Sequence, residues 1–224
     1  AINNLGAEDH CLWNQEDGFY YDVLHKEEGG HIPLKIRSLV GLIPLLAVET
    51  IEAETLEKLP DFKERMESFF ANNPEMSQNI ACIRTKGQQE RRLLSIVNEE
   101  RLTAILNKML DEAEFLSPHG IRSLSKYHEE NPYRFELDGL KYSIQYEPAE
   151  SRSHLFGGNS NWRGPVWFPI NYLLVESLQK FDHYYGDKMQ IECPAGSGDY
   201  KNLWEVSAEL SERLISIFRL DEEG

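Results

Sequence analysis

Residues 157–171, Gly-Gly-Asn-Ser-Asn-Trp-Arg-Gly-Pro-Val-Trp-Phe-Pro-Ile-Asn, form a glycine-loosened loop that runs straight into an apolar helix. No other stretch constrains the fold as strongly. Gly157 and Gly158 allow backbone angles closed to other residues, so the loop can turn sharply into a cleft. Pro165 suits a first helical position, where its missing N–H is not needed and its φ is already helical. From there Val166, Trp167, Ile170, Leu173, Leu174, Leu178 and Phe181 recur at helical spacing and predict one apolar stripe. Two indoles beside Arg, Asn and Ser groups suit a sugar ring, which has apolar faces and a rim of hydroxyls. The competing reading is a helix entry packed by two core tryptophans, because aromatic side chains more often fill cores.

A chain of 224 residues with 41% hydrophobic content can bury one sizeable core and makes one or two domains at most. Its net charge of −15 argues against nucleic acid as a partner, and equally against an anionic membrane surface. No window approaches the roughly 18 apolar residues of a membrane span. Cys11, Cys82 and Cys193 are odd in number and far apart, which fits a reducing, cytoplasmic setting and indicates neither a disulfide framework nor a zinc site. No signal peptide is visible, although a chain that opens on Ala1 leaves an earlier leader open.

The chain reads as mainly α, with short β-hairpins in the connections. Residues 18–24 predict a strand, followed by the turn-prone Glu27-Glu28-Gly29-Gly30. Residues 37–49 are apolar nearly all round, which predicts a buried helix bent at Pro44. A helix starting at Pro60 is expected to turn Phe62, Met66, Phe69 and Phe70 inward and to end at Asn72-Asn73-Pro74. Asn98 is placed to cap another, with Glu99 and Glu100 in its first turn and an inward stripe from Leu102 to Ala113. Asp138-Gly139 between two alternating runs is a hairpin signal that puts Tyr133, Phe135, Leu137, Leu140, Tyr142, Ile144 and Tyr146 on one face. In the last helix Leu203, Val206, Leu210, Leu214 and Ile217 face inward, while Glu205, Glu209 and Glu212 face water.

The blocks at 12–24 (LWNQEDGFYYDVL), 35–49 (KIRSLVGLIPLLAVE), 115–128 (FLSPHGIRSLSKYH), 157–181 (GGNSNWRGPVWFPINYLLVESLQKF) and 192–198 (ECPAGSG) together resemble glycoside hydrolase family 63. The resemblance is closest to the glucosidase-like microbial branch, and the fourth block is the specific one. It implies an (α/α)6 toroid, of which residues 1–224 would be one partial catalytic domain, about half of the ring. It also implies an inverting α-glycosidase acting on a glucosyl- or mannosyl-saccharide, in which a carboxylic acid protonates the leaving oxygen and a carboxylate activates water. By that resemblance the acid lies upstream of this sequence and the base downstream, so both catalytic residues are expected outside this chain. The sugar-facing positions that the resemblance carries over are Asn161, Trp162, Arg163, Gly164, Pro165 and Trp167, with Asn161 the weakest because relatives place an aromatic there. No metal or cofactor is implied; the expected partner is an oligosaccharide or glycoside. Half a toroid would leave apolar surface on Leu39, Val40, Ile43, Leu46 and the 203–217 stripe, which implies self-association of the isolated chain.

Other constellations carry less. Arg122 and Arg37 either touch substrate or anchor their loops through buried hydrogen bonds. Tyr20, Tyr21 and Asp22 border a cavity or simply pack. Asp17 and Asp22 are weak candidates for a general acid. His25 and His31 match no His-Glu-x-x-His pattern, residues 14–18 lack the twelve-residue calcium loop, and no P-loop or G-x-S-x-G elbow occurs. A glycoside phosphorylase on the same toroid and a non-catalytic carbohydrate-binding domain remain open as alternatives to a hydrolase.

Overall fold

The computed structural model describes residues 11–26, 29–74, 85–137, 139–147 and 165–219. Strands β1 (Trp13–Asn14) and β2 (Phe19–Tyr20) form a tight antiparallel pair, as do β3 (Asp22–His25) and β4 (His31–Leu34). A 3-10 helix over Leu39–Leu46 leads into β5 (Val48–Ile51). Helices α1 (Ala53–Lys58) and α2 (Pro60–Asn72) follow, and β6 (Arg92–Ser95) returns to pair with β5. Next come α3 (Glu99–Met109) and the hairpins β7 (Leu116–Ser117) with β8 (Gly120–Ile121), and β9 (Tyr133–Leu137) with β10 (Leu140–Ile144). The long helix α4 (Phe168–Tyr185), strands β11 (Gln190–Glu192) and β12 (Tyr200–Asn202), and α5 (Leu203–Ser216) complete the described elements. Helix outweighs strand, and every strand belongs to a two-stranded antiparallel pair.

Local chemistry explains where the helices begin. Asn98 Oδ1 accepts from Arg101 N at 3.0 Å and caps α3, whose first turn carries Glu99 and Glu100 against the positive end of the helix dipole. Asn202 and Glu205 form a reciprocal capping box on α5: Glu205 N donates to Asn202 Oδ1 at 2.9 Å and Asn202 N donates to Glu205 Oε2 at 3.0 Å. Helices α4 and α5 pack antiparallel. Trp204 N, at the start of α5, donates to Asp182 near the end of α4, and Phe168 meets Phe218 edge-on at the opposite ends.

The core gathers Phe19 from β2, Leu42 from the 3-10 helix, Leu102, Ile105 and Leu106 from α3, Phe115, Leu178 and Phe181 from α4, and Val206 and Leu210 from α5. Gly41 is required where the 3-10 helix crosses β2, since a Cβ there would lie 2.2 Å from the Phe19 ring and 2.5 Å from the Tyr20 carbonyl. A smaller cluster of Ile36, Leu124 and Ile144 packs under the β9–β10 hairpin.

Several expectations are corrected. Helix α4 starts at Phe168 with Pro169 in its first turn, so Pro165 is not its first residue. Residues 165 and 166 are instead extended, because Val166 bridges Arg122 and the Pro165 carbonyl accepts hydrogen bonds from Ser123. The buried face of α4 runs through Asn171, Leu174, Val175, Leu178, Phe181 and Tyr185, while Leu173 is 40% exposed. The apolar run at 37–49 is a 3-10 helix followed by a strand: Pro44 lies inside it and Val48 pairs with Ser95. Helix α2 buries none of its side chains fully, and Phe62 and Phe69 are exposed. Ile217 and Ala113 also lie at the surface, and Glu209 is half-buried between Lys201 and Arg213 rather than facing water.

The same burial pattern predicts unequal costs along α4. Phe181→Ala should destabilise the protein by about 3–5 kcal/mol through the cavity it opens, whereas Leu173→Ala should cost less than about 1 kcal/mol. Urea unfolding of the two variants is the measurement, and equal midpoints would contradict this packing.

Candidate functional site

Of the six positions expected to face a sugar, Pro165 and Trp167 are described; Asn161, Trp162, Arg163 and Gly164 lie outside the described residues. Pro165 is exposed and Trp167 is half-buried, so neither is sealed in the core. What the structure displays is the frame from which this loop emerges. Three extended segments lie side by side. Ser123 N and Ser123 Oγ each donate to the Pro165 carbonyl at 2.8 Å. Leu39 N donates to the Ser123 carbonyl at 2.9 Å, Ser125 N donates to the Arg37 carbonyl at 2.9 Å, and Ser38 bridges Leu124.

Asn171 pins this seam to α4. It is 1% exposed. Its Oδ1 accepts from Ile121 N at 2.7 Å, while its Nδ2 donates to the Ile121 carbonyl and to the Trp167 carbonyl, both at 3.0 Å. A single carboxamide thus satisfies both backbone groups of a buried residue in β8 and one carbonyl at the helix start. Neighbouring Gly120 has φ +115, a conformation that favours glycine, and a Cβ there would lie 2.9 Å from Asn171 Oδ1.

Beneath the seam is a charged frame. The Glu114 carboxylate is buried and accepts hydrogen bonds from Arg37 Nη1 and from Ser125 Oγ. The Arg37 guanidinium lies 3.9 Å from the Tyr127 ring centroid, within cation–π range, and its Nη2 is 3.8 Å from Asp17 Oδ1. Lys35 Nζ holds the other Asp17 oxygen at 3.0 Å. Arg37 N donates to His128 Nε2 at 2.9 Å, so His128 carries its proton on Nδ1, which donates to the Asn131 carbonyl at 2.9 Å. Burial lowers the His128 pKa from its ordinary value, outweighing the opposing hydrogen bond to Asn131. Burial likewise pushes the Tyr21 phenol up to about 12, so it stays protonated. Arg122 is buried and its Nη1 donates to the carbonyls of Glu112 at 3.1 Å, Glu114 at 3.3 Å and Leu116. These contacts make Arg122 an anchor of its loop.

On the far side of residues 38–44 lies a cavity of about 230 Å³, walled by Tyr20, Tyr21, Asp22, Ser38, Val40 and Ile43 among others. Tyr20 and Tyr21 therefore both pack in the core and border a hollow. Neither Pro165 nor Trp167 lines it. Sequence reasoning missed Asn171, Glu114 and His128. Asn171 offered a signal, as the one short amide on an otherwise apolar stripe of α4.

Comparison with known proteins adds the family. The model for the glycosyl hydrolase family 63 C-terminal domain matches residues 91–203, a span that holds Glu114, Arg122, Pro165, Trp167 and Asn171. An uncharacterized protein of Saccharomyces cerevisiae is 54% identical over 215 residues, covering 95% of this chain and 20% of that protein. A probable mannosyl-oligosaccharide glucosidase of Schizosaccharomyces pombe is 35% identical over 78 residues, covering 35% of this chain and 7% of that protein. The chain thus spans about a fifth of the first relative's length and less than a tenth of the second's.

Two outcomes test the frame. Asn171→Ala should orphan the Ile121 N–H and carbonyl, at about 1–3 kcal/mol for each buried group, and should speed hydrogen exchange at the Ile121 amide. The lowered pKa of His128 means that the unfolded chain binds its proton more tightly. Its contribution to stability is therefore complete above the ordinary imidazole value of about 6.5 and is lost as the pH falls below it. Thermal unfolding should show a steeper drop below that pH in the wild type than in His128→Gln.

Proposed function

The chain belongs to glycosyl hydrolase family 63 and carries its C-terminal domain, and on that premise we propose that it forms part of the catalytic domain of a longer, inverting α-glycosidase. In this reading residues 1–224 contribute part of an (α/α)6 toroid and one wall of the saccharide cavity. The observation that carries it is the family match across 91–203, which encloses the aromatic loop together with the Glu114, Arg122 and Asn171 frame that anchors it. Asn161, Trp162, Arg163, Gly164, Pro165 and Trp167 bind the sugar. The indoles supply apolar surface for its C–H face, Arg163 and Asn161 bond its hydroxyls, and Gly164 allows close backbone approach.

The acid and base of the reaction come from polypeptide outside this chain, about 6.5–9.5 Å apart so that a water fits between base and sugar. Glu114 is unsuited to either role, because Arg37 and Ser125 already occupy its carboxylate. This chain's part is positional. The seam fixes Pro165 and Val166, the described residues that follow Gly164, so part of the site is positioned before the sugar arrives.

Full-length protein incubated with an α-glucoside, with the first-formed anomer followed by NMR, is the test. Release of β-glucose is expected; release of the α-anomer, or no turnover of any glycoside, overturns the proposal. Trp167→Ala should lower kcat/KM by about ten-fold, near 1.4 kcal/mol, if its ring packs on the sugar. The isolated chain should self-associate, because Val40, Ile43, Tyr172, Ile215 and Phe218 present large apolar surface. A monodisperse monomer in light scattering would contradict that.

A further inference from the structure

Arg122 is a buried cation without a counter-ion among the described residues. It is 8% exposed, and Nη1 alone makes its hydrogen bonds, all of them to carbonyls. Its Nε is fully buried and has no hydrogen-bond partner among the described residues. The nearby carboxylates are committed or turned away: Glu114 serves Arg37 and Ser125, and the exposed Glu112 carboxylate reaches Arg213 at 3.8 Å. The Tyr146 ring centroid lies 5.9 Å from Arg122 Cζ, and His128 is engaged elsewhere, between Arg37 N and the Asn131 carbonyl. A guanidinium keeps its charge at any pH at which proteins fold, and carbonyl dipoles with one ring face compensate it only partly.

We propose that the free edge of Arg122, Nε with Nη2, receives an aspartate or glutamate side chain from the remainder of the full-length polypeptide. That edge of a guanidinium is spaced for a two-point grip on a carboxylate. The inference rests on the reading of this chain as part of a longer enzyme, whose yeast relative has about four-fifths of its length outside the match. The location gives it consequence. Tyr146 touches the cation just before residues 148–164, and Val166 bridges it just after them, so both ends of the aromatic loop meet over Arg122. A carboxylate docked there ties the rest of the protein to the base of the sugar-facing loop, making Arg122 a positioning residue. A ligand carboxylate fits less well, because its departure would leave a charge stranded in a site with almost no access to solvent.

The test is thermal unfolding of full-length wild type, Arg122→Gln and Arg122→Lys across acidic to neutral pH. A carboxylate paired with Arg122 has a depressed pKa, so its contribution is present above the ordinary carboxylate range of about 4 and fades as the pH falls through the folded value. The Tm gap between wild type and Arg122→Gln should be widest at neutral pH and shrink by half or more in acid, while Arg122→Lys keeps most of the wild-type pH dependence. A gap that does not change with pH overturns the proposal, since carbonyls do not titrate. If Arg122→Gln does not fold, an experimental structure of the wild type decides. A carboxylate from outside residues 1–224 within about 3.2 Å of Nε or Nη2 supports the proposal, and water, a further carbonyl or a carboxylate of residues 1–224 in that place overturns it. Stabilisation of wild type, but not of Arg122→Lys, by glucuronate would assign the edge to a ligand and also overturn it. None of these readouts uses turnover, so an inactive full-length protein with the pH-dependent gap would remove the glycosidase reading and leave the Arg122 pairing standing.

Discussion

The Asn171 carboxamide completes three backbone hydrogen bonds where water does not reach, and the seam between helix α4 and the 120–125 segment depends on it. An apolar residue there would leave Ile121 with a buried donor and a buried acceptor, and a longer amide would collide with the tight backbone at Gly120. With Asn171 in place, β8 lies against the start of α4, and Arg122 is in register with Val166. Pro165 then leaves the seam in a fixed direction. One side chain thus holds three backbone groups of this seam in register beside Pro165.

The charges below the seam serve the same end by a different route. Burying Arg37 and Glu114 together costs desolvation, and their attraction repays it only when the remaining donors and acceptors are also used. Ser125, Tyr127 and His128 supply those contacts from one short 3-10 turn, Lys126–Glu129, and its cap. Such a network adds little net stability over an apolar packing, but it tolerates only one arrangement. It therefore sets the distance between residues 37 and 125, and through Ser123 the height at which Pro165 emerges.

Much of this was legible in the residues, and the failures share a cause. The Asp138-Gly139 signal gave the hairpin register, with Leu137 opposite Leu140 and Phe135 opposite Tyr142, because turn length alone fixes which residues face each other. Asn98 and the α5 stripe from Leu203 to Leu214 were equally local. Pro165 misled because its preset φ serves an extended bridge as well as a helix start, and only the pairing of Val166 with Arg122 decides between them. The run at 39–46 misled because uniform apolarity has no period; Pro44 and the close crossing at Gly41 favour the tighter 3-10 winding. Glu114 and Arg37 stand 77 residues apart, and no local pattern announces that pair.

Periodicity identifies which face of a helix is apolar, but not what covers it. Helix α2 has phenylalanines at helical spacing and buries neither Phe62 nor Phe69, while α4 and α5 leave Phe168, Tyr172, Ile215 and Phe218 at one end of their pair. The same limit applies to Trp167. Its half-buried indole stands at the mouth of the seam, where a core tryptophan would be covered and a free surface tryptophan would have no frame behind it. Intermediate burial separates Trp167 from both, which periodicity alone does not do. What adds to that reading is the family match, because Trp167 and the frame behind it both fall inside the matched span.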